Sequence, residues 1–461
     1  MKGFLIAGTA SGVGKTTVTL ALLAAMRRRG VIVQSFKGGP DFLDTGHHTR
    51  IAGRVARNLD TWMLSPDANR DVFFEASCGA DAVLVEGMMG LFDGKDGATE
   101  VGSSAEIAKL LRLPVVLVLD ASKSARSIAA VVLGFERFDP ELTLAGVILN
   151  RVASERHFKM LETAIHSACR TPILGWMPRE SSIAIAERHL GLRTAEESEE
   201  DLDAQIERLA ALAEEHLNLD ALFSLERGLD IKSTTVQPPV NVATSVRIGV
   251  ARDRAFSFYY EDNLGLLRSH GAEIVPFSPV LDASLPTGID ALYLGGGYPE
   301  LYAQQLSANQ SMLASIREFA ASGHPVYAEC GGMVYLSKQI MTADGGAYAM
   351  AGVLPFTVEM TGKLVQFGYV TVELTQDCLL GPRGTLLRGH SFHYSRIINM
   401  PGLATNYRVH YSLSDCEEDE GYSLGNVLAS YIHLLFRTAP MIAQCFVGAA
   451  SNAKDRELTQ I

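Results

Sequence analysis

The segment GTASGVGKTT, residues 8 to 17, follows directly on the apolar run Phe4-Leu5-Ile6-Ala7 and demands a strand that turns through a glycine-rich loop into a helix. Such a loop functions at the carboxyl edge of a parallel sheet. There the glycines let successive backbone N–H groups close around phosphate oxygens, and the following helix adds its positive end. Gly12, Gly14, Lys15, Thr16 and Thr17 stand where phosphate binding needs them, Lys15 as a point charge and Thr16 as a hydroxyl ligand for Mg2+. Thr9 replaces the usual first glycine and Gly8 lies one residue earlier, which gives the loop a lengthened start. The expectation is a chain that binds and hydrolyses ATP with Mg2+.

Short β-branched runs alternate with helix-like segments along the rest of the chain, the pattern of parallel strands joined by crossover helices. With 461 residues and roughly 100 to 200 residues per domain, two or three domains are expected. The first, residues 1–194, reads as a doubly wound parallel sheet with strands over 4–7, 31–36, 82–86, 115–120, 144–150 and 173–175. An acidic run from Glu196 to Asp203 opens a helical stretch to about Leu219, read as solvated. The aperiodic STTVQPPVNVATS, residues 233–245, reads as the linker, so 195–245 form an acidic helix and connector. A second α/β domain, 246–461, follows, with strands over 247–251, 273–277, 291–294 and 326–329 and a β-rich region from Phe367 onwards.

The net charge of −12 and the lack of any basic run argue against nucleic acid as a partner. No apolar run approaches the roughly 18 residues of a membrane span. The loop at Gly8 interrupts the apolar start too early for a signal peptide. Six scattered cysteines without a C-x-x-C pair indicate neither a disulfide framework nor a zinc site, and fit a reducing cytoplasm.

In open α/β sheets ligands bind outside the carboxyl ends of the strands, which singles out three further segments in the first domain. DAVLVEG ends an apolar strand in Glu86, the form of the second acidic element that supports magnesium beside a phosphate loop. The loop that follows, GMMGLFDG, brings Asp93 to the same edge. KGGPDFLDTGHH supplies Lys37 for phosphate or a substrate carboxylate, and Asp41 and Asp44 to hold metal or orient an acceptor; each also suits an ordinary turn. Asn150 and Arg151 close another strand and either contact the nucleotide base or end the strand structurally.

The second domain carries HPVYAECGGMVYL, residues 324–336, in which a strand turns sharply into a helix at Cys330. This is a cysteine nucleophile elbow: the helix end favours thiolate, and the Gly331 N–H can face a developing oxyanion. LGGGYPE offers a second oxyanion donor from Gly296 or Gly297. A cysteine nucleophile needs a base, and His433 in SYIHLLF fits that role, with His390 and His393 in RGHSFHYS as competitors.

Taken together, GTASGVGKTT, FKGGPDFLDTGHH, RNLDTWML, EGMMGLFDG, GVILNRV, ERHLGL, GGGYPE, AECGGMVYL, GHSFHYS and NVLASYIHLLF run in order through the whole chain. In these motifs the chain resembles the cobyrinate a,c-diamide synthase family of glutamine-dependent amidotransferases. The resemblance implies an N-terminal domain like dethiobiotin synthetase and a C-terminal triad-type glutaminase. It also implies ammonia released from glutamine at Cys330 with His433 as base, and ATP-driven formation of an acyl phosphate on a tetrapyrrole polycarboxylate. Ammonia then displaces phosphate at the a and c acetate side chains, by a shielded path whose acceptor end is shaped by Asp41, Leu43, Asp44 and Asp93. Triad glutaminases usually carry a glycine two residues before the cysteine and a carboxylate two residues after the histidine. Here Ala328 and Leu435 occupy those places, which leaves the third triad member unassigned. Hydrogenobyrinate and nickel-sirohydrochlorin are alternative acceptors within the same motifs. Cobyric acid synthase is set apart by GPDFLD after the second strand, and an ATP-switch protein by Ala10, where a signature lysine would stand.

Overall fold

The computed structural model describes residues 2–180, 187–188, 191–192, 199–226, 245–400, 402–414 and 416–460. The chain divides into two compact units, residues 1–236 and 237–461.

The first unit is built on seven strands: β1 (Lys2–Gly8), β2 (Val33–Gly38), β3 (Arg57–Leu59), β4 (Ala82–Glu86), β5 (Val115–Asp120), β6 (Leu144–Val152) and β7 (Ile173–Pro178). Among the described residues they form one sheet in the order β3-β2-β4-β1-β5-β6-β7, every pair parallel. β1, β4 and β5 are apolar along most of their length because helices cover both faces of a parallel sheet; Phe4, Ile6, Leu84, Val116, Val118 and Ile148 all lie within one core. β1 sits between β4 and β5, at the point where the strand order reverses. Ile6 is in register with Glu86, and Glu86 with Lys37, so the loops leaving β1, β2 and β4 open side by side. Helix α1 (Lys15–Arg28) follows the phosphate loop, and α2 (Leu43–Ala52) follows β2. The edge strand β3 has only three residues and no clear alternation, which is why the sequence does not reveal it.

The helix expected over the acidic stretch is present, but it is not solvated on all sides as its composition suggests. It spans Glu199–His216, and its Leu209, Ala210, Leu212 and Ala213 fall on one side and are buried in the same core as α1, with Glu207, Glu214 and Glu215 outward. Arg29 of the loop after α1 pairs with Glu214 at 2.7 Å, and a short helix over Leu219–Ser224 adds Leu219 and Leu222 to the core. Composition conceals this because the charged residues outnumber the apolar stripe they flank. The aperiodic residues 233–244 read as linker lie outside the described residues, as does most of the run from 193 to 198.

The second unit holds a ten-stranded mixed sheet among the described residues. Its strands are β8 (Val246–Ala251), β9 (Ala272–Phe277), β10 (Ala291–Leu294), β11 (Val326–Glu329), β12 (Gln366–Leu374), β13 (Leu386–His393), β14 (Ala404–Tyr411), β15 (Glu417–Leu424), β16 (Val427–Ser430) and β17 (His433–Leu434), in the order β9-β8-β10-β11-β16-β15-β14-β12-β13-β17. The first five in that order are parallel and the remainder antiparallel. A short helix, Gly331–Leu336, leaves β11, and a ribbon pairs 256–258 with Gly296–Gly297 beside it. Among the described residues no helix is long and apolar enough to cross a membrane.

Both tryptophans, Trp62 and Trp176, belong to the first unit, so its unfolding can be followed separately by fluorescence. Leu209→Ala is expected to lower its stability by about 2–5 kcal/mol in urea denaturation, as for a buried leucine truncated in a core. Glu207→Ala on the outer face is expected to stay within about 0.5 kcal/mol. Equal effects of the two would show that the helix does not belong to this core.

Candidate active sites

At the carboxyl edge of the first sheet, Gly14 holds a left-handed backbone at φ 94°, and a Cβ there would lie 2.0 Å from Asn150 Nδ2. Only glycine suits that position. Asn150, buried on β6, donates from Nδ2 to the Val13 carbonyl at 2.8 Å, so it braces the phosphate loop from behind. Its Oδ1 accepts from the Arg151 N–H at 2.9 Å, and Arg151 pairs with Asp120 at 2.5 Å. Lys15 lies across the loop, its Nζ donating to the carbonyls of Met89 and Ala10.

Thr16, Lys37, Asp44 and Glu86 converge into one polar cluster. Thr16 Oγ1 donates to Glu86 Oε1 at 2.7 Å and lies 3.4 Å from Asp44 Oδ2. Lys37 Nζ bridges Glu86 Oε1, at 2.8 Å, and Asp44. Glu86 Oε2 meets His48 Nε2 at 2.8 Å, and Glu86 itself has no exposed surface. Burial works against the charge of both Lys37 and Glu86. The nearby carboxylates, Asp44 first, nevertheless hold the lysine above its ordinary range, and Lys37 with His48 hold the glutamate well below the usual carboxylate range. His48 is the residue that sequence reasoning missed. Its signal was present: Asp44 and His48 stand four residues apart on α2 and therefore share one helix face.

The oxygen donors Thr16, Asp44 and Glu86 suit Mg2+, a hard cation that keeps several ligands from water and phosphate. Among the described residues no cluster of three His, Cys, Asp or Glu side chains could hold a metal by itself. Asp41, read as a metal residue, instead accepts from the Asp44 N–H at 2.8 Å and starts α2; burial and the Asp44 carboxylate push it up to about 6. The carboxylate facing Thr16 is that of Asp44. Leu43 opens α2 half-buried, and Asp93 is exposed, its carboxylate accepting from the Gly90 N–H at 2.9 Å and closing that turn.

In the second unit Cys330 occupies the sharp turn between β11 and the helix at Gly331, with φ 46° and ψ −105°. A non-glycine residue so placed carries strain of about 1–3 kcal/mol, and such strain concentrates at functional sites. Its N–H donates to the Ser430 carbonyl at 2.7 Å, which ties the elbow to the end of β16; His433 lies three residues further along. A Cβ on Gly296 would sit 2.4 Å from His433 Cε1, and one on Gly331 would sit 2.9 Å from the Gly297 nitrogen. Gly296, Gly297, Gly331, Cys330 and His433 are thus gathered in one place. The His433 ring stacks on His390 at 4.9 Å between centroids, and His390 Nδ1 meets the Tyr260 hydroxyl at 2.9 Å. His393 stacks on Tyr431 and its Nδ1 meets the Ser395 carbonyl at 2.8 Å.

The surroundings of the elbow oppose the thiolate that its helix end favours. Burial, and then the Glu300 carboxylate, push the Cys330 thiol up to about 12, while burial holds His433 far below the ordinary histidine value. The helix that follows is only six residues long, too short for its dipole to offset that desolvation. Glu329, the residue before the cysteine, lies with Oε2 3.9 Å from His433 Nδ1.

Comparison with known proteins gives each unit a family match. Residues 4–192 match the CobQ/CobB/MinD/ParA nucleotide binding domain, and residues 247–441 match the CobB/CobQ-like glutamine amidotransferase domain. A cobyrinate a,c-diamide synthase of Syntrophotalea carbinolica is 45% identical over 453 residues, covering 96% of this chain and 97% of the relative. The chain belongs to the cobyrinate a,c-diamide synthase family. The like-named protein of Dehalococcoides mccartyi is 43% identical, over 96% of this chain and 97% of its own, and that of Salmonella typhimurium 42%, over 97% and 98%. Kinship with cobyrinate a,c-diamide synthases therefore spans both units, and the fold is that of a parallel nucleotide-binding sheet joined to a glutamine amidotransferase domain.

A second buried carboxylate braces the elbow. Glu420 accepts from Ser430 Oγ at 2.5 Å and from the Tyr431 N–H at 2.6 Å, and burial raises it to about 7 from an ordinary 4.5. The folded state thus binds a proton that the unfolded chain releases between those two values. The resulting penalty is absent below pH 4.5 and fully present above pH 7, so this group's contribution to stability falls as pH rises through the window. Glu420→Gln, which keeps an acceptor and loses the charge, is expected to gain on the parent protein by about 1–3 kcal/mol between pH 5 and pH 8. Urea midpoints read from tyrosine near-ultraviolet circular dichroism check this; a pH-independent difference would contradict the raised value.

Proposed function

We propose that this protein is a glutamine-hydrolysing ligase that uses ATP to amidate the a and c acetate carboxylates of cobyrinate, in cobalamin biosynthesis. The observation that carries this reading is near-full-length kinship with cobyrinate a,c-diamide synthases in a chain that keeps both chemical clusters intact.

In the second unit, the Cys330 thiol gives its proton to His433 as sulfur attacks the amide carbon of glutamine. The N–H groups of Gly331 and of Gly296 or Gly297 receive the oxyanion, and collapse releases ammonia and leaves a thioester that water cleaves to glutamate. In the first unit, the N–H groups of Gly12 to Thr17 and the Lys15 ammonium bind the phosphates of ATP. Thr16, Asp44 and Glu86 would hold Mg2+, which neutralises phosphate charge as it develops. Lys37 balances the two carboxylates of that cluster and stands ready for the transferred phosphoryl group. Phosphorylation turns the acceptor carboxylate into an acyl phosphate, and ammonia displaces phosphate to form the amide. Asp41, Leu43 and Asp93 border the acceptor side. The six free cysteines suit catalysis in a reducing cytoplasm.

Purified protein incubated with Mg2+, ATP and glutamine, and with cobyrinate, hydrogenobyrinate or nickel-sirohydrochlorin in parallel, is expected to convert cobyrinate to a product with two carboxyls replaced by amides, read by mass spectrometry. Conversion of nickel-sirohydrochlorin alone would overturn the substrate assignment. Cys330→Ala is expected to reduce glutamine-dependent amidation on the order of 10³-fold or more while high ammonium restores the reaction. Lys15→Ala is expected to lose amidation from either nitrogen source, since no acyl phosphate forms without bound ATP.

A further inference from the structure

The carboxylate that usually follows the base of a triad glutaminase is missing here, since Leu435 stands two residues after His433. Both Leu435 and the neighbouring Leu434 are buried among apolar residues. Yet a histidine that accepts a proton in so dry a place needs a compensating charge or a fixed orientation, or it will not take the proton at all.

One carboxylate meets that need. Glu329 is 1% exposed at the end of β11, and its two oxygens are held by three donors from three strands. Oε1 accepts from the Tyr327 hydroxyl at 2.7 Å and the Leu434 N–H at 3.1 Å; Oε2 accepts from the Tyr293 hydroxyl at 3.0 Å. The remaining side of Oε2 faces His433 Nδ1 at 3.9 Å. The Leu434 bond matters doubly, because it fixes the backbone next to His433 to the same carboxylate that faces its ring.

We infer that Glu329 is the third member of the glutaminase triad, a positioning residue that orients His433 through Nδ1 and balances the imidazolium formed when Cys330 attacks glutamine. The inference rests on the glutaminase reading of Cys330 and His433 given above. With Nδ1 turned to Glu329, Nε2 is the nitrogen that receives the thiol proton. The sulfur electron pair forms the C–S bond, and the same proton passes to the departing ammonia when the C–N bond breaks. Glu329 stays ionised throughout. The triad thus runs as adjacent residues 329 and 330 with a distant histidine, with the orienting carboxylate beside the nucleophile in sequence instead of beside the base.

The groups around Glu329 are Tyr293 and Tyr327, which donate to it, Tyr259 and Tyr407, whose ionisation it opposes, and the stacked pair His433 and His390. Burial raises Glu329 to about 7, against the pull of its three donors. Glutaminase activity is therefore expected to rise with pH through about 7 as the carboxylate ionises.

The test uses the full-length protein and measures glutamate release and amidation from glutamine and from ammonium, from pH 5.5 to 9. Glu329→Gln is expected to lower kcat for glutamine about 100-fold or more with KM little changed, and to remove the rise near neutrality. Glu329→Asp is expected to recover part of kcat with that rise restored. Alkylation of Cys330 by iodoacetamide, mapped by mass spectrometry, should follow the same pH pattern, and thermal melting reports whether each variant is folded. A Glu329→Gln protein that keeps kcat within about twofold, or whose loss is the same at every pH, overturns the inference. Retention of glutamine use by Cys330→Ala would instead overturn the glutaminase reading beneath it, so the two failures are distinguishable. Should Glu329→Gln not fold, a folded Glu329→Asp protein that keeps kcat for glutamine within about twofold of the parent overturns the inference by itself.

Discussion

Everything in the first unit turns on a carboxylate in a place where carboxylates are costly. Glu86 is wholly buried at the end of a central strand, and removing such an ion from water costs several kcal/mol unless partners surround it. Lys37, His48 and Thr16 do so, each from a different element: the end of β2, the second turn of α2 and the first turn of α1. A unit charge about 4 Å away contributes roughly 4 kcal/mol at the effective dielectric of a protein interior, enough to keep Glu86 ionised. The same bonds fix where the three elements end, so the charge cluster and the geometry of the phosphate loop are one construction.

The second unit solves a related problem by strain. Its nucleophile stands on a turn that no ordinary residue prefers, and the backbone there is held by the strand beside it, through the Ser430 carbonyl, and by the close approach of Gly331 to Gly297. Glycine at 296, 297 and 331 is needed because each approach leaves no room for a Cβ. Burial raises the thiol and lowers the histidine, which favours a neutral pair at rest.

Much of this was legible from the chain itself. The strands β4, β5, β10 and β11 appear as apolar runs with the bounds the structure shows, because a strand buried on both faces has no room for interruption. Lys37 and Glu86 could be placed near the phosphate loop from topology alone, since the carboxyl ends of adjacent parallel strands cannot lie anywhere else. What escaped were features whose cause lies in three dimensions. Asn150 suits either a nucleotide contact or a strand end in the sequence, and its bond to the Val13 carbonyl of the loop appears only in three dimensions. The role of Asp44 over Asp41 depends on which of two nearby carboxylates begins the helix and which faces across it. Glu329 gave no signal, because its relation to His433 crosses about a hundred residues of sequence.

That separation has a consequence for how the protein comes into being. Cys330 follows β11 directly, and β16, which opens at Val427 and leads through two residues to His433 on β17, pairs with β11 but comes after the antiparallel strands β12 to β15 in the chain. Contacts so distant in sequence form late, since their loop closure must await the structure between them. A chain still leaving the ribosome, or one halted in folding, thus carries the cysteine without its histidine and without the backbone bond that holds the elbow. The pairing that joins the cysteine's strand to the segment leading to His433 therefore depends on a part of the unit that is made late in synthesis.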